Sequence, residues 1–438
     1  MNYVEAKNNI EALSRFGSVL GLDNIYELLK RLDNPQEKLN IIHVAGTNGK
    51  GSTIAYLSSI LSAAGYKVGK YTSPVVFEYL EKYQINNKNI SESEFATIAK
   101  KTMSAVSEMV LEGNGQPTIF EVETAMAYLY FYESECDIAI IETGMGGDMD
   151  ATNVCSRVLA SVITSISLDH VGILGNTIQE IAACKAGIIK KNCPVILYGQ
   201  SEEVTNVIRS VAGTLNAPLV ISDTKSISEK NIRYKTATGY VYEKLKPSLC
   251  GLYQLKNLTT ALETIEQLKK QGLNITEDAV KQGVEKALWN GRFEKISGEP
   301  LFIIDGAHNP DAVSELKKTI DIYYPKKKWV FIMGVLADKD FAKEASILSG
   351  MAEMVITVTP NNARALAAEN LGEVVKSSDV AKEVVVADGI DEAIKLAIYK
   401  YSLLGSDAGI LAFGSLSYLG ELKGKVVKYV EKHRHIMI

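Results

Sequence analysis

The amino-acid sequence predicts an α/β protein with a doubly wound parallel sheet in its first domain and a smaller open α/β unit in its second. Three observations support this fold class. Apolar runs of strand length alternate with helical patterns along most of the chain, which is typical of parallel sheets. The first of these runs leads through a glycine-rich turn into a helix. Near residues 290–298 the alternation starts again, which indicates a second domain with its own core.

The first domain is expected to begin with a helical segment over residues 1–38. Ser91 and Glu94 have the spacing of a capping box, which predicts a helix from Ser91 to about Leu111. The segment 223–245 is less regular and is predicted to be an antiparallel edge. Further helices are expected over 118–133 and 177–190, and strands over 67–72, 137–143, 158–166, 194–198 and 218–221.

The second domain is predicted to repeat the same alternation on a smaller scale. We place the linker at residues 295–299, so that the domains cover residues 1–295 and 296–438. Strands separated by helices are expected over 301–304, 329–333, 354–358, 384–386 and 410–413.

Composition excludes several classes of protein. Hydrophobic residues make up 46% and charged residues 23% of the chain, as in ordinary globular proteins. A net charge of -5 without a Lys/Arg run argues against nucleic acid as a partner. The five cysteines have no C-x-x-C spacing and are typical of reduced cytosolic thiols. No leader and no apolar run of membrane-spanning length is present, so the sequence predicts a cytoplasmic protein without a membrane partner.

The glycine-rich turn has the features of a polyphosphate site. An apolar run through Val44 is followed by the loop Gly46–Thr53 and then by a helical pattern. Glycines let backbone N–H groups approach phosphates, the helix N-terminus favours an anion, and Lys50 adds a charge. The spacing G-x-x-x-x-G-K-[ST] is not met, since Gly51 takes the place of the hydroxyl residue, and Ser52 becomes the candidate for a metal ion.

Three further positions could carry chemistry. Glu142 ends an apolar strand beside this loop, where a hard cation is expected. His170 follows the end of the next strand. Lys185 lies among small and apolar residues of a predicted helix, so it either extends to solvent or has a functional role.

Together these positions resemble the folylpolyglutamate synthase/dihydrofolate synthase branch of the Mur ligases, over nearly the whole chain. The fold that this resemblance implies is a P-loop-type doubly wound domain plus a smaller Rossmann-like C-terminal domain. The motifs that carry it are HVAGTNGKGST (43–53), TSP (72–74), FEVETA (120–125), ETGMGGDMDATN (142–153), ITSISLDHVGILGNTIQEIAACKAGIIK (163–190), GLYQLKN (251–257), WNGRFE (289–294), DGAHNP (305–310), GVLADKD (334–340) and FGSLSYLG (413–420).

The resemblance implies an ATP-dependent ligase that adds L-glutamate to a folate, and it leaves open whether dihydropteroate is also a substrate. In this family the γ-phosphoryl group of ATP activates the carboxylate as an acyl phosphate, which the glutamate amine then attacks. Two magnesium ions and a carbamylated lysine are usual, and the lysine matches Lys185. The family precedent is a monomer.

Motif by motif, the resemblance also implies roles for individual residues. The catalytic residues would be Lys50, Lys185 and His308, and the metal ligands Ser52, Ser73, Glu142 and His170. Asp150 and Ser415 would contact the acceptor or glutamate. ATP would be bound by Gly46, Thr47, Asn48, Gly49, Lys50, Gly51, Ser52, Thr53, Asn257, Arg292 and Asp305, with Gln254 beside the adenine.

The sequence departs from the family on loops expected near the acceptor. Val75 and Val76 replace His-Leu, Asp148 replaces an arginine, and Cys184 replaces a glutamate. Loss of the arginine would disfavour an anionic acceptor unless Lys82 or another cation compensates. Two alternatives therefore stay open, a Mur-type amino-acid ligase with a non-folate acceptor and a nucleotide-binding relative without catalysis.

Structural interpretations compete at some positions. His43 lies in the first buried strand and is predicted to be a satisfied core histidine. Residues 338–340 could be a surface turn or could contact a nucleotide. His433 and His435 lie in a basic tail and are expected to be solvated.

Overall fold

The structure, a computed structural model, describes residues 1–17, 21–169, 172–227 and 232–433. It divides into two compact units, the first formed by Met1–Ser248 with Gln254–Leu288 and the second by Leu249–Tyr253 with Trp289–Ile438. Among the described helices, none has both the length and the apolar character required to cross a membrane.

The first unit is an alternation of helices and strands. Its helices are α1 (Tyr3–Glu11), α2 (Asp23–Arg31), α3 (Lys50–Ala63), α4 (Glu92–Leu111), α5 (Ile119–Glu133), α6 (Ile178–Ala186), α7 (Glu202–Thr214), α8 (Leu252–Lys270, beginning in the second unit) and α9 (Glu277–Lys286). Its strands are β1 (Ile41–Ala45), β2 (Val68–Tyr71), β3 (Tyr83–Ile85), β4 (Lys88–Asn89), β5 (Ile138–Glu142), β6 (Ala160–Ile163), β7 (Val195–Leu197), β8 (Leu219–Ile221), β9 (Tyr234–Lys235) and β10 (Val241–Tyr242). Short 3₁₀ turns lie at Ala12–Phe16, Pro35–Glu37 and Tyr79–Lys82.

The main sheet of this unit has the strand order β4-β3-β2-β5-β1-β6-β7-β8. The six strands β2-β5-β1-β6-β7-β8 are parallel to their neighbours. Strands β3 and β4 add an antiparallel hairpin at the edge next to β2. Val44 of β1 pairs with Glu142 of β5, and Ala45 pairs with Ile163 of β6. The loops that leave β1, β5 and β6 therefore start at the same edge, which is where ligands bind in parallel sheets.

Local sequence signals account for the ends of several helices. Ser91 and Glu94 form the predicted capping box of α4, with reciprocal side-chain to backbone hydrogen bonds. Thr118 and Thr177 cap α5 and α6 with the same arrangement. These side chains satisfy N–H groups that have no partner inside a helix, and the predicted helices are confirmed with small differences at their ends.

The segment 223–245 differs from its prediction. Strands β9 and β10 are antiparallel, as expected, but they form a separate two-stranded ribbon rather than an edge of the main sheet. The Tyr234 hydroxyl donates to Glu263 of α8 at 2.8 Å, and the Tyr242 hydroxyl donates to Glu266 at 2.6 Å. The ribbon is thus attached to α8 by tyrosine–carboxylate hydrogen bonds, which no local pattern reveals.

The second unit contains a six-stranded sheet of order β11-β12-β16-β13-β14-β15. All pairs are parallel except β11 with β12. The strands are β11 (Glu294–Gly298), β12 (Leu301–Ile304), β13 (Lys328–Met333), β14 (Ala352–Thr357), β15 (Ala381–Val386) and β16 (Ala408–Phe413), and the helices are α10 (Pro310–Tyr323), α11 (Phe341–Ile347), α12 (Ala368–Ser377), α13 (Ile390–Leu404) and α14 (Leu416–His433).

The predicted linker at 295–299 is the main difference from the expected domain organisation. Most of it forms β11, an edge strand of the second sheet, and the division between the units falls between Leu288 and Trp289 instead of after Lys295. The residues of β11 are half-buried or exposed, so they lack the apolar run that identified the other strands.

Candidate active site

The loop after β1 requires glycine at two positions. Gly46 has φ +153° and Gly49, which precedes α3, has φ +88°. A Cβ atom on Gly46 would lie 1.8 Å from Thr164 Oγ1, and one on Gly49 would lie 2.4 Å from Asn257 Oδ1. Both the backbone conformation and the close neighbours therefore exclude a side chain.

Backbone hydrogen bonds hold this loop against the end of β6. The N–H groups of Thr47 and Asn48 both donate to the Ser165 carbonyl, at 2.8 Å and 3.2 Å. These two amides are therefore engaged within the protein. The backbone donors best placed for an anion are those in the first turn of α3, which begins at Lys50 and whose first N–H groups have no acceptor within the helix.

Two lysine side chains meet at one carbonyl oxygen of the loop. Lys50 Nζ donates to Gly46 O at 3.1 Å, and Lys185 Nζ of α6 donates to the same oxygen at 3.0 Å. Lys185 is only 4% exposed. Burial, together with the nearby charge of Lys50, lowers the pKa of Lys185 to about 7. The structure thus brings the predicted lysines together, beside the helix terminus that favours an anion.

Glu142 connects this lysine pair to the loop after β2. It is buried at the end of β5, with Oε1 at 3.8 Å from Lys50 Nζ. Its Oε2 accepts a hydrogen bond from the backbone N–H of Ser73 at 3.2 Å. A carboxylate, a lysine and the TSP loop are therefore neighbours at the carboxyl edge of the sheet, as the resemblance implied.

A magnesium ion would have few protein ligands here. Glu142 is beside the loop, and Ser52 is buried in the first turn of α3. Ser73, a third predicted ligand, contacts Glu142 through its backbone N–H, and the fourth, His170, lies outside the described residues. No group of three or more His, Cys, Asp or Glu side chains in the described chain could hold a metal ion. One carboxylate fits magnesium, which usually keeps waters and binds substrate phosphates.

Asp150 organises its own loop. Its carboxylate accepts hydrogen bonds from the N–H groups of Met145 at 2.7 Å and Thr152 at 3.0 Å, and from the Thr152 hydroxyl. Burial raises its pKa. All of these partners belong to the loop after β5, so contact between Asp150 and a substrate stays a prediction.

His43 lies in the core, as predicted, but it is only partly satisfied, because its Nδ1 has no hydrogen-bond partner among the described residues. It is fully buried in β1, and its Nε2 lies 2.8 Å from Thr152 Oγ1. Burial lowers its pKa to about 3, so it is neutral at physiological pH.

The loop after β5 packs tightly on the last turn of α6. A Cβ atom on Gly147 would lie 2.6 Å from the Cys184 carbonyl oxygen, and the N–H of Asp148 donates to the same oxygen at 3.0 Å. Asp148, which stands where the family has an arginine, is therefore anchored one residue from Lys185. Its backbone is thereby fixed beside α6, while its side chain is exposed.

Lys82 is already neutralised. Its ammonium group forms an ion pair with Glu123 of α5, whose carboxylate also accepts a hydrogen bond from the Tyr79 hydroxyl at 2.6 Å. Glu123 is 3% exposed. The suggestion that Lys82 compensates for the lost arginine is therefore not supported. Its partner, a glutamate inside an apolar helix, could not be identified from the sequence.

Asn257 and Gln254 of α8 are neighbours in the first unit. Asn257 is buried against Gly49, and its Nδ2 donates to Gln254 Oε1 at 3.2 Å. The structure therefore brings Asn257 to the phosphate loop, although the two are far apart in sequence. Contact with adenine stays a prediction.

In the second unit, Asp305 lies immediately after β12 and is 3% exposed. Its carboxylate accepts hydrogen bonds from the N–H groups of Phe293 at 2.7 Å and Ala307 at 2.8 Å, and from the Tyr253 hydroxyl at 2.8 Å. Burial raises its pKa, and the nearby Arg292 opposes that rise. Tyr253 was not predicted, because only the fold brings it to this carboxylate.

The other predicted residues of this unit follow the ends of neighbouring strands. His308 Nδ1 lies 2.7 Å from Gly306 O, and since a carbonyl oxygen only accepts, Nδ1 donates this hydrogen bond. Ser415 Oγ lies 2.8 Å from Ser417 Oγ, and the N–H of Gly414 donates to Ala307 O at 3.0 Å. The DGAHNP and FGSLSYLG motifs are therefore adjacent, because β12 and β16 are neighbours.

Residues 338–340 form a turn with structural partners. The Asp340 side chain caps α11 by accepting from the N–H of Lys343 at 3.3 Å. Asp338 forms an exposed ion pair with Arg364 at 3.0 Å. These contacts favour the surface-turn interpretation, and a nucleotide contact stays a prediction.

Comparisons with known proteins agree with this geometry. Residues 44–265 match the Mur ligase middle domain, and residues 291–416 match the Mur ligase, glutamate ligase domain. The chain is 34% identical to the dihydrofolate synthase/folylpolyglutamate synthase of Bacillus subtilis, over 97% of this chain and 99% of that protein.

Solved structures are similar over the same extent. A Mycobacterium tuberculosis folylpolyglutamate synthase complexed with ADP is 27% identical with a TM-score of 0.88, covering 97% of this chain and 99% of that one. Escherichia coli FolC in complex with DHPP and ADP is 29% identical with a TM-score of 0.85, covering 98% of each chain.

Proposed function

Because this chain belongs to the Mur ligase family, in its folylpolyglutamate synthase/dihydrofolate synthase branch, we propose that it is an ATP-dependent ligase that joins L-glutamate to a folate. The observation that carries the proposal is the convergence of Lys50 and Lys185 on the Gly46 carbonyl beside Glu142. Lys50, a cation at the N-terminus of α3, suits the phosphates of ATP, and Lys185 lies beside it.

The proposed reaction has two steps. A carboxylate of the folate attacks the γ-phosphorus of ATP, which forms an acyl phosphate and releases ADP. The glutamate amine then attacks the acyl carbon, a tetrahedral intermediate forms, and inorganic phosphate and a proton leave as the amide is made. Lys50 offsets the negative charge on the transferred phosphoryl group, and the loop and first turn of α3 hold it in place.

Lys185 is proposed to be carbamylated. A neutral amine adds to carbon dioxide and releases a proton, which converts a cation into a carboxylate-like anion. The lowered pKa of about 7 means that a large fraction of Lys185 is neutral at physiological pH and can react. The resulting anion at the same position would face the phosphate loop and orient the groups bound there.

Magnesium is proposed to be held by Ser52, Ser73 and Glu142, with His170 completing the set implied by the resemblance. Bound there, the ion would neutralise the phosphate oxygens of ATP. The buried carboxylate of Glu142, which already contacts the Ser73 backbone, is the feature that fits a hard cation. Two ions, as in the family, are part of the proposal.

The acceptor is proposed to be a reduced folate, with dihydropteroate as a second substrate. An acceptor that is not a folate is the alternative, and two observations favour it. Asp148 stands on the loop held beside α6, and Lys82 is paired with Glu123. Arg292, His308 and Ser415 are proposed to contact ATP or glutamate. Contact of Asp305 with ATP stays a prediction, because its carboxylate already accepts three hydrogen bonds within the second unit. The monomeric state and a cytoplasmic location stay predictions.

The test measures ADP release by purified protein with ATP, magnesium and L-glutamate against dihydropteroate, a reduced folate and no acceptor. Release that needs both glutamate and a pterin acid supports the proposal, and the product mass shows which acid gained a glutamyl residue. ATP turnover with a different acid alone would instead establish the non-folate alternative. Absence of turnover with every acid would establish a relative without catalysis.

A further inference from the structure

A cavity lies at the edge of the first sheet opposite the phosphate loop. Val158 precedes β6, Pro194 precedes β7 and Pro218 precedes β8, and all three line the cavity. The phosphate loop instead packs where β6 ends, at Thr164 and Ser165. The length of β6 separates the cavity from the candidate active site, so the proposed reaction does not use it.

The polar lining of this cavity includes two cations and the side-chain amides of Asn192, Gln267 and Gln271. Arg157 and Lys270 stand at the cavity, and none of its lining residues is an Asp or a Glu. Neither Arg157 nor Lys270 forms an ion pair with a described residue, although Lys270 acts from a greater distance on the Glu263 carboxyl. Two unpaired cations beside one cavity are notable in a chain with a net charge of -5.

A buried amide gives an independent indication of a ligand. Gln267, in the last turns of α8, lines the cavity and is 7% exposed. Its Nε2 has no hydrogen-bond acceptor among the described residues. The neighbouring Gln271 is different, because its Nε2 already donates to the Leu159 carbonyl at 2.9 Å. Buried polar groups normally have a partner, so an acceptor from outside the chain would complete this site.

The size of the cavity limits the ligand. Its volume is about 280 Å³, slightly below the roughly 300 Å³ at which pockets for drug-sized molecules begin. A small anion with oxygen acceptors matches both cations and the amide, and the planar guanidinium of Arg157 suits a carboxylate or a phosphate group. The apolar Val158 and the prolines leave room for a short carbon chain but offer no further polar contacts.

We propose that this cavity binds a small oxyanion, a phosphate or a carboxylate, between Arg157 and Lys270, with the Gln267 amide donating to it. The site is remote from the phosphate loop, yet α8 carries both Gln267 and Asn257, the residue packed against Gly49. This proposal is independent of the substrate that the enzyme uses.

Cys193 provides a direct readout, because its half-buried thiol lines the cavity and Cys250 is an exposed reference thiol in the same chain. The full-length protein is saturated with magnesium and ADP, and the rates of alkylation of both thiols by neutral iodoacetamide are followed by mass spectrometry. Inorganic phosphate and succinate are the probes, and their separate arms distinguish a phosphate ligand from a carboxylate ligand. We expect one of them to slow alkylation of Cys193 and leave Cys250 unchanged.

The variant Arg157→Gln/Lys270→Gln tests whether the two cations cause the protection. Both residues are exposed, so the variant should fold, and the anion concentration needed for half-protection should rise roughly ten- to hundredfold. The control Arg209→Gln/Lys235→Gln removes the same charge from exposed positions elsewhere in the first unit and should behave as the wild type. The comparison between these variants is valid whether or not ADP is bound.

Three results would overturn the proposal. They are no protection of Cys193 by either probe, equal protection of Cys250, and full protection in the Arg157→Gln/Lys270→Gln variant.

Discussion

The phosphate loop of the first unit and the Asp305 turn of the second unit both bury charge at the carboxyl edge of a parallel sheet, but they stabilise it differently. Lys50 and Lys185 share one backbone carbonyl as acceptor, and the Glu142 carboxylate is 3.8 Å from Lys50. Asp305, in contrast, accepts three hydrogen bonds from its own unit. The lysines of the first arrangement therefore rest on one carbonyl and one distant carboxylate, whereas the Asp305 carboxylate has three close donors.

This difference suggests how to separate binding residues from scaffold residues. A buried cation whose acceptors are weak gains most when a ligand arrives, so its removal should reduce activity more than stability. A buried carboxylate with internal donors holds the chain together, and its removal should reduce stability first. Substitutions at both places test this distinction.

Lys185→Met should lower kcat about 10²- to 10³-fold, because it removes the amine whose proposed carbamate orients the groups bound at the phosphate loop. The buried methionine fills a similar volume without the desolvation cost of a lysine, so the unfolding free energy should not fall. ADP release and urea denaturation measure the two effects. Lys191→Met, at an exposed position after α6, is the matched control, and normal turnover in Lys185→Met would contradict the assigned role.

The same lysine should make stability depend on pH. Its pKa is about 7 in the folded protein and 10.5 in the reference state. Between these values the unfolded chain binds a proton that the folded protein does not, so the contribution of Lys185 to the unfolding free energy should rise with pH. Below about pH 7 both states are protonated, and the full penalty of burying the cation is present.

The unfolding free energies of the wild type and of Lys185→Met are measured between about pH 7 and pH 10.5 in carbon dioxide-depleted buffer. Subtracting one from the other isolates the contribution of Lys185, because the other titrating groups contribute equally to both proteins. The difference in unfolding free energy should shift in favour of the wild type as pH rises. A constant difference would show that Lys185 is not destabilised by burial.

Asp305→Asn should lower the unfolding free energy by roughly 1–3 kcal/mol, because at least one of its three donors would face an amide NH₂ group. Asp321→Asn, at an exposed position on α10, is the control and should change little. If Asp305→Asn lost ATP turnover at an unchanged unfolding free energy, Asp305 would bind a ligand and would not be a scaffold residue.

Gly49→Ala should weaken nucleotide binding and destabilise the loop by about 1–2 kcal/mol. Its Cβ atom would lie 2.4 Å from Asn257 Oδ1, so either the loop or Asn257 must move. Gly65→Ala is a matched control, because Gly65 has a similar φ of +94° and no atom within 4 Å of an added Cβ. Equal nucleotide affinity in both variants would show that the Asn257 contact is unimportant.

Asp340→Ala should remove the cap of α11 and lower the unfolding free energy by about 1 kcal/mol, with kcat unchanged. Asp338→Ala breaks only an exposed ion pair and should have a smaller effect. A large loss of turnover in either variant would restore the nucleotide interpretation of this turn.

Short-range patterns in the sequence determined much of this protein. The path from β1 through Gly46 and Gly49 into α3 was predictable, because glycine conformation, a helix start and an apolar strand are local properties. The capping boxes of α4 and α6 and most strands of both sheets were predictable for the same reason. The edge strand β11 was missed, because its side chains are not buried in an apolar run.

Contacts between these residues, in contrast, depend on the three-dimensional fold. The order β5-β1-β6 brings Glu142 and Thr164 to the phosphate loop, and packing brings Lys185 and Asn257 to the same place. Three further features could not be predicted from the sequence. They are the ion pair of Lys82 with Glu123, the hydrogen bonds that Asp305 accepts within its own unit, and the buried amide of Gln267 without an acceptor among the described residues. Each depends on partners distant in sequence, and the energy of a buried charge is set by those partners rather than by its neighbours along the chain.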